Sequence, residues 1–326
     1  MLKGKLKRFI LIALIAAFFC SPAAAAETAA NAETAPNAET AADTKDGSKS
    51  EAKKKSAKKK KKKAKLTRKT IKICTDGTLE EVQAALSDEG PLSVDAKGDS
   101  GYTPLLYAAK YNPHPEVVKA FIDAGADVNY KNAFGSTALM CAAANNTSAD
   151  IINMLLDAGA NIDEVNNDGM SALMFALINS KSADMFYALI DRKPNLEFIE
   201  SQGHSALMLA AVYNQTPDYI YELLDAGAQV DAQNERGFTA LSWAALSNQN
   251  PEIFYALIDA GADINHADKH GMTPLMLAAY SNQNTQIVDE LINEGADTTL
   301  VDENGNDVDA YADENPAFYE SEEGSY

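Results

Sequence analysis

Basic side chains are scarce over most of this sequence. Residues 73–326 hold 9 Lys and Arg against 41 Asp and Glu, a balance of 9 − 41 = −32, whereas residues 1–72 hold 19 against 6, a balance of 19 − 6 = +13. The two balances sum to the net charge of −19. Because an acidic surface repels phosphate backbones, the sequence excludes nucleic acid as the main ligand of residues 73–326.

Cysteine and histidine are also rare, with 3 and 4 residues. Cys74 and Cys141 stand nearly two repeats apart in the 34-residue pattern of this chain. Neighbouring helices pack about 8–10 Å apart, and a disulfide needs Cα atoms within about 7 Å, so we expect two buried, unpaired thiols. His266 and His270 fall in a loop without a third ligand. The sequence therefore predicts no metal site, no cofactor and no catalytic residue.

Long hydrophobic runs are absent as well. The run from Phe9 to Phe19 is too short to cross about 30 Å of hydrocarbon. Basic residues stand before this run and the small residues 24–26 after it, as in a secretory signal peptide. The sequence therefore predicts that residues 1–26 are a signal peptide cleaved after Ala26, and that the protein is exported to the periplasm or secreted.

Residues 27–67 lack the apolar side chains that folding requires. An Ala-, Glu- and Thr-rich tract is followed by a lysine-rich tract, and both compositions predict a disordered linker. The lysines of the second tract are Lys53, Lys54, Lys55, Lys58, Lys59, Lys60, Lys61, Lys62, Lys63 and Lys65. This tract has three interpretations: a solvated spacer, an electrostatic tether to an anionic surface such as phospholipid or cell-wall polymer, or a segment that contacts the acidic part of the same chain.

The sequence is rich in repetition. Segments such as GYTPLLYAA and GFTALSWAA recur every 34 residues. The segments begin at Gly101, Gly135, Gly169, Gly203, Gly237 and Gly271. A fixed period in this range predicts an array of structural repeats, in which no unit buries its apolar side chains alone.

Each repeat contains the signals of two helices. A Thr or Ser two residues after the opening glycine, such as Thr103, is placed to cap the first helix. An Asn such as Asn112 ends that helix, and we expect it to take the left-handed conformation that Asn tolerates. The second helix has an apolar stripe at helical spacing. A glycine such as Gly125 then supplies the left-handed cap of the second helix.

The opening GxTPLxxAA and the closing AGADVN resemble the ankyrin repeat over residues 101–304, and the 34-residue period is similar to that of exported bacterial ankyrin-repeat proteins. The resemblance implies an all-α solenoid of about seven repeats that binds protein through its concave helical face and loop tips, without enzyme activity. The expected units are an N-terminal capping repeat 68–100, repeats 101–134, 135–168, 169–202, 203–236, 237–270 and 271–304, and a C-terminal capping helix with an acidic tail, 305–326.

One repeat departs from the pattern. The segment DRKPNLE has Lys193 and Pro194 where the other repeats have Gly-Ala or a close variant. Because the residue before a proline avoids helical conformations, we predict a turn that is built differently. We expect the array to be softest near residues 190–200.

The single tryptophan, Trp243, marks the predicted binding face. On a helix it points about 200° away from the core residue Leu241, on the side that Leu246 shares. The same positions in other repeats, with the residue after each opening glycine, form an apolar strip on an acidic domain, which is typical of a partner-binding surface. The predicted binding residues are Tyr102, Tyr107, Phe175, Ile178, Val212, Tyr213, Phe238, Trp243, Leu246, Met272 and Tyr280.

Two alternatives stay open at this stage. Trp243 is either such an anchor or a residue that only packs in the core, and a second candidate surface consists of Tyr187, Tyr221 and Tyr255 on the second helices. The protein is either an exported scaffold that binds an unknown protein partner or an envelope-associated spacer whose lysine-rich linker docks on an anionic surface. We expect a monomer in both cases.

Overall fold

The structure is a computed structural model that describes residues 65–146, 148–179 and 182–320. The predicted signal peptide, residues 1–26, lies outside the described residues, and so does the predicted linker apart from its last three residues. Of the lysine-rich tract, only Lys65 is described. Residues 321–326 of the acidic tail are likewise outside.

The described residues form a stack of helix pairs, which confirms the prediction of an all-α repeat solenoid. The first helices of the pairs are α1 (Arg68–Asp76), α3 (Pro104–Tyr111), α5 (Ala138–Asn145), α7 (Ala172–Asn179), α9 (Ala206–Tyr213), α11 (Ala240–Ser247) and α13 (Pro274–Ser281). The second helices are α2 (Leu79–Leu86), α4 (Pro115–Asp123), α6 (Ala149–Asp157), α8 (Ala183–Ile190), α10 (Asp218–Asp225), α12 (Pro251–Asp259) and α14 (Gln286–Asn293). Two short helices, α15 (Val308–Ala312) and α16 (Ala317–Glu320), close the C-terminal end.

Helices of the same kind are neighbours along the stack. Each first helix packs on the next one up to α15, and each also packs on the second helix of its own pair. The second helices up to α14 contact one another in the same way, least closely between α8 and α10, where the rings of Phe186 and Tyr219 have centroids 4.7 Å apart. The part of the chain that the structure describes has no β-strand, only the isolated bridges Lys65–Lys97 and Val165–Ser171.

The first helices begin where the sequence predicts. In all six repeats the hydroxyl oxygen of the Thr or Ser accepts a hydrogen bond from the backbone nitrogen three residues later, at 3.3–3.4 Å. This bond satisfies one of the backbone donors that the start of a helix leaves free. The six capping residues are Thr103, Thr137, Ser171, Ser205, Thr239 and Thr273.

The asparagines that end the first helices do not take the predicted left-handed conformation. Asn112 has a φ of −82°, and Asn248 has a φ of −84°. Their role lies in the side chain instead. The Nδ2 of Asn248 donates to the carbonyl oxygens of Ala211 at 2.8 Å and Asn214 at 2.9 Å, and its Oδ1 accepts from the nitrogen of Asn250. Such a buried amide joins each repeat to the preceding one, so it acts as a staple between repeats.

This asparagine ladder is less regular between the third and fourth repeats. The Nδ2 of Asn214 donates to the carbonyl oxygen of Leu177 at 3.3 Å, a longer bond than those of Asn248. Its buried Oδ1 has no hydrogen-bond partner among the described residues. The sequence has Ser180 at the preceding position of the ladder, where the first two repeats have Asn112 and Asn146. The staple between α7 and α9 is therefore the longest of those described.

The turn after α8 keeps the left-handed residue of the other repeats, and the predicted difference lies in its strain and its hydrogen bonds. Lys193 has a φ of +54°, the left-handed region that Gly125 occupies in the first repeat. Its nitrogen donates to the oxygen of Ile190 at 2.9 Å, as Gly125 does to Ile122. However, a non-glycine residue is strained in this region. Pro194 has no N–H and cannot make the bond that Ala126 donates to Phe121.

Cys74 and Cys141 are buried and free, which confirms the prediction of two unpaired thiols. Burial raises the pKa of each thiol to about 12, so both remain protonated at neutral pH. Over the described ranges, every helix is too short or too polar to cross a membrane.

Candidate protein-binding face

Charged residues are segregated between the two layers of helices. In the six repeats the first helices, α3 to α13, contain one charged residue, Lys110. Each second helix from α4 to α14 contains at least one Asp or Glu. We call the partly exposed side chains of the first helices, with the residue after each opening glycine, the first-helix face. It is an almost uncharged surface on an otherwise acidic domain.

The outermost column of the first-helix face is partly exposed in every repeat. It includes Ile178, Val212, Leu246 and Tyr280, all predicted binding residues, and the structure places them where a partner can reach them. The full column is Lys110, Ala144, Ile178, Val212, Leu246 and Tyr280. Five of its six members are uncharged, so it offers a row of small, aliphatic and aromatic side chains.

Trp243 does not lie on this surface, so the prediction that it is an exposed anchor is wrong. The indole is only 7% exposed. It packs between the ring of Phe238, with centroids 5.1 Å apart, and the ring of His204 of the preceding repeat, at 4.6 Å. Helical geometry alone could not predict this burial, because the covering residues come from the loops that precede the helices. Trp243 is a packing residue, which is the alternative that the sequence left open.

Three other residues of the Trp243 column are also buried. Cys141, Leu209 and Leu277 are 4%, 3% and 2% exposed, so they contribute to the core rather than to a binding surface. Only Tyr107 and Phe175 of this column are partly exposed. Binding residues must therefore be sought one helical turn further along, in the column of Ile178.

Four partly exposed side chains of the third and fourth repeats form one apolar patch. Phe175, Ile178, Phe198 and Tyr213 pack together on a buried cluster of Met170, Met174 and Leu209. The sequence predicted three of the four and missed Phe198, which lies in the loop before Gly203. At that loop position the neighbouring repeats have Glu164 and Ala232, so no periodic signal identified it. The apolar patch is thus an aromatic and aliphatic group of the first-helix face that spans two repeats.

A second group lies at the N-terminal end of the face. The rings of Tyr102 and Tyr107 have centroids 5.2 Å apart. The Nζ of Lys110 lies 5.7 Å from the ring centroid of Tyr102 and 5.0 Å from that of Tyr111, which is 50% exposed. We call these four residues the tyrosine–lysine cluster. The sequence predicted Tyr102 and Tyr107 but missed Lys110 and Tyr111, because only apolar residues of those columns were considered.

The protonation states in the tyrosine–lysine cluster follow from burial. Burial raises the pKa of Tyr102 and of Tyr107, so both hydroxyls remain protonated donors. For Lys110, burial acts to lower the pKa, but the hydrogen bond to Tyr111 and the tyrosines around it raise it overall. The ammonium therefore keeps its charge at neutral pH.

The remaining predicted residues lie toward the C-terminal end of the face. Phe238 and Met272 are partly exposed and follow the opening glycines of the fifth and sixth repeats. Tyr280 contacts Tyr311 of α15 edge-on, with centroids 5.7 Å apart.

A buried acid–histidine pair lies beneath the face and was missed by sequence reasoning. The Nδ1 of His204 lies 2.5 Å from the Oε1 of Glu200, and both side chains are nearly inaccessible. Burial acts to raise the pKa of Glu200, but hydrogen bonds from the His204 ring and from the nitrogens of Gln202 and His204 outweigh it, and the pKa is lowered. Because Asn234 accepts the same two backbone bonds in the next repeat, Glu200 serves as a structural substitute.

The second candidate surface, on the second helices, is more dispersed. Tyr221 is 44% exposed, and Tyr187 and Tyr255 are partly exposed. The hydroxyl of Tyr255 donates to Glu290 at 2.5 Å, and this hydrogen bond, with burial, raises the tyrosine's pKa to about 12. Exposed apolar side chains also occur in the loops, at Phe134, Ile199 and Val301. Among the described residues, no three His, Cys, Asp or Glu side chains are grouped as metal ligands.

Similar proteins support the fold. The family model of ankyrin repeats (3 copies) matches residues 70–166, 105–198, 139–234 and 207–302. The crystal structure of the human ASB11 ankyrin repeat domain is 22% identical, with a TM-score of 0.58, and the match covers 67% of this chain and 96% of that one. The ankyrin repeat domain of Bcl-3, a member of the IkappaB protein family, is 24% identical with a TM-score of 0.55, covering 64% of this chain and 93% of that one. Among curated proteins, none matches this chain significantly.

Both structural neighbours share the stack of helix pairs. Because their sequence identity to this chain is low, this similarity shows the fold alone. The family matches, in contrast, overlap one another from residue 70 to residue 302 and so extend over more than half of the chain. They also include every helix pair between α3 and α14. This chain belongs to the ankyrin-repeat family.

Proposed function

We propose that this protein is a non-enzymatic scaffold that binds a protein partner through its first-helix face. Ankyrin repeats are generally protein–protein interaction scaffolds. The observation that favours this face is its charge segregation: the first helices of six repeats have one charged residue among partly exposed aliphatic and aromatic side chains. An apolar surface rimmed by charge is typical of an interaction site on a soluble domain.

The apolar patch is the proposed centre of this surface. Phe175, Ile178, Phe198 and Tyr213 are partly exposed, and all four rest on buried methionine and leucine side chains. Side chains supported in this way are already ordered before binding, so they lose little side-chain entropy when a partner covers them. Aromatic residues in such positions are the usual hot spots of interfaces.

The test is recovery of a partner from cells that make this protein. The native chain, an Ile178→Ser and Val212→Ser variant, and a Tyr221→Ser variant of the second helices would be crosslinked in cells and purified in parallel. We expect the native chain and the Tyr221 variant to recover the same protein and the first-helix variant to lose it. Equal recovery by all three would contradict the proposal. Circular dichroism and melting would show that the variants are folded.

We further propose that the protein is exported, with residues 1–26 removed, and that the lysine-rich tract contacts an anionic surface. The support is the sequence alone: a basic start, an apolar run and small residues, followed by a tract of lysines. Cell fractionation with mass spectrometry of the N-terminus tests export. A protein found in the cytoplasm that starts at Met1 would contradict it.

A further inference from the structure

Lys110 differs from three other basic residues of the repeats in its partners. Lys119 pairs with Asp123, Lys131 with Glu164 and Arg192 with Asp157. Lys110 has no carboxylate partner among the described residues, and the groups that affect its pKa are two tyrosines and a thiol. A half-buried ammonium without a counter-ion on a chain with 47 acidic residues is the feature to be explained.

The groups around Lys110 are protonated hydrogen-bond donors and not anions. The hydroxyls of Tyr102 and Tyr107 and the thiol of Cys141 all have raised pKa values, chiefly through burial, and are protonated at neutral pH. One carboxylate, Asp99, acts on Tyr107, and it pairs with Lys65 at 3.5 Å. The tyrosine–lysine cluster is therefore suited to an anion.

The charge of the whole domain does not prevent an acidic group from binding there. Exposed charges are screened over about 8 Å at physiological salt. A half-buried ammonium interacts with a contacting carboxylate in a lower effective dielectric, where the attraction is several times stronger than in water. Lys110 therefore favours an acidic group of the ligand at this position. The acidic side chains of the second helices disfavour ligands that are negatively charged along their whole length.

The column that contains Lys110 leads directly to the apolar patch. Ala144 follows one repeat along, where its small side chain leaves room for a chain to pass, and Ile178 of the patch follows two repeats along. Two helix spacings amount to nearly 20 Å. An extended segment rises about 3.3 Å per residue, so about six residues separate a side chain at Lys110 from one at the patch.

We propose, building on the function proposed above, that the first-helix face recognises an extended segment of the partner protein in which an acidic side chain pairs with Lys110. About six residues away, an aromatic or large aliphatic side chain of the same segment packs on the apolar patch. The partner is thus identified by chemistry, as a mixed acidic and apolar segment rather than a basic one.

The experiment selects ligands from a displayed library of random 12-residue peptides against the full chain at physiological salt. We expect the selected peptides to share an Asp or Glu about six residues from a Phe, Trp, Tyr, Leu or Ile. A Lys110→Glu variant should select a basic residue at the acidic position instead. Each selected peptide would then be titrated against the variants.

Lys110→Met should weaken the binding of the selected acidic peptides about tenfold or more, the scale of a charge-assisted hydrogen bond. Lys110→Arg should largely restore it. Lys119→Met removes the same charge from a second helix of the same repeat and should leave affinity unchanged. Every variant retains the lysine-rich tract, so an acidic preference that arises there would survive in all of them.

The outcomes separate this inference from the proposed function. Two results would overturn the inference but not the proposed binding face. In the first, the selected peptides lose affinity for the Ile178→Ser and Val212→Ser variant but contain no acidic residue. In the second, they lose that affinity but do not respond to Lys110→Met. Peptides that bind independently of both sites, or a selection that enriches nothing, would overturn the inference and the proposed function together.

Discussion

The indole of Trp243 lies against the imidazole of His204 from the preceding repeat, with ring centroids 4.6 Å apart. The contact crosses the boundary between the fourth and fifth repeats. Phe238 of the fifth repeat covers the other side of the indole at 5.1 Å. The single tryptophan of the chain is therefore a link between repeats and not a part of the binding surface.

We expect Trp243→Ala to lower the free energy of unfolding by about 3–5 kcal/mol, the usual cost of removing a large buried aromatic side chain. Leu246→Ser, a partly exposed position in the same helix, should cost less than about 1 kcal/mol. Urea denaturation followed by circular dichroism measures both. Similar small losses for the two variants would mean that the indole is exposed in solution.

The asparagine ladder gives a matched pair of substitutions. Asn248 is fully buried and makes two short bonds to carbonyl oxygens of the preceding repeat. Asn248→Ala leaves these acceptors unsatisfied, and we expect a loss of about 2–4 kcal/mol in the free energy of unfolding. Asn214 makes a longer bond of 3.3 Å to Leu177 and its buried Oδ1 has no partner among the described residues, so Asn214→Ala should cost about half as much. An equal or larger loss at Asn214 contradicts the unequal ladder.

Lys193 offers a stabilising substitution. Lys193→Gly removes the strain of a side chain at a φ of +54°, and we expect a gain of about 1 kcal/mol. Gly159, at a φ of +89°, has open space around the position of a Cβ atom. Gly159→Lys is therefore the reverse control and should lose a similar amount.

The same turn predicts where the array opens first. Hydrogen exchange should find the fastest exchange of the repeats near residues 190–200, and Lys193→Gly should slow it. Uniform protection along the repeats, in both the native chain and the variant, would rule out a local weakness at this turn.

The C-terminal end predicts a dependence on pH. Burial acts to raise the pKa of Asp302, but hydrogen bonds from Tyr311, Asn304 and Asn306 outweigh it and hold the pKa well below its usual range. The carboxylate therefore contributes stability that is complete above about pH 5 and is lost as the pH falls through the folded value. Asp302→Asn should cost about 1–2 kcal/mol at pH 7 and less at pH 3.

Denaturation of the native chain and the Asp302→Asn variant at pH 7, 5 and 3 measures this difference. The exposed Asp309 of α15 provides the control, and Asp309→Asn should change stability little at any of these pH values. A difference between Asp302→Asn and the native chain that stays constant from pH 7 to pH 3 would show that the carboxylate charge is not responsible.

The lysine-rich tract predicts binding to anionic vesicles that weakens as salt increases, because exposed charges are screened beyond about 8–10 Å. Sedimentation with vesicles that contain phosphatidylserine, at several salt concentrations, measures it. Deletion of residues 53–65 should abolish the binding. Equal binding by the deleted chain, or binding that is insensitive to salt, would reject the tether.

The period of 34 residues was sufficient to predict the helix pairs, the capping residues such as Thr103 and the left-handed glycines such as Gly125. These features depend on local backbone requirements that recur in each repeat. The sequence was less informative about Trp243 and Phe198, because their environment depends on how loops fold back over neighbouring helices. It was uninformative about the bonds of Asn248, whose partners lie 34 and 37 residues away.

The exposed residues of the first-helix face were predicted in part for the same reason. Ile178, Val212, Leu246 and Tyr280 share a column that helical geometry alone places at the surface. Lys110 belongs to the same column but was not predicted, because apolar character alone does not identify a charged residue in an apolar column. This single charged residue carries more information about the chemistry of a ligand than the apolar residues of the column.

The weak junction between the third and fourth repeats has a consequence for how the array folds. In a linear stack, cooperativity passes only through interfaces between neighbours. We therefore expect the stack to divide most easily into two blocks between α7 and α9, where the bond of Asn214 is the longest of the described staples. Phe175 and Ile178 belong to one block and Tyr213 to the other. A ligand that contacts all three side chains would stabilise the interface between the two blocks. We expect the array to unfold in one cooperative transition when the ligand is bound.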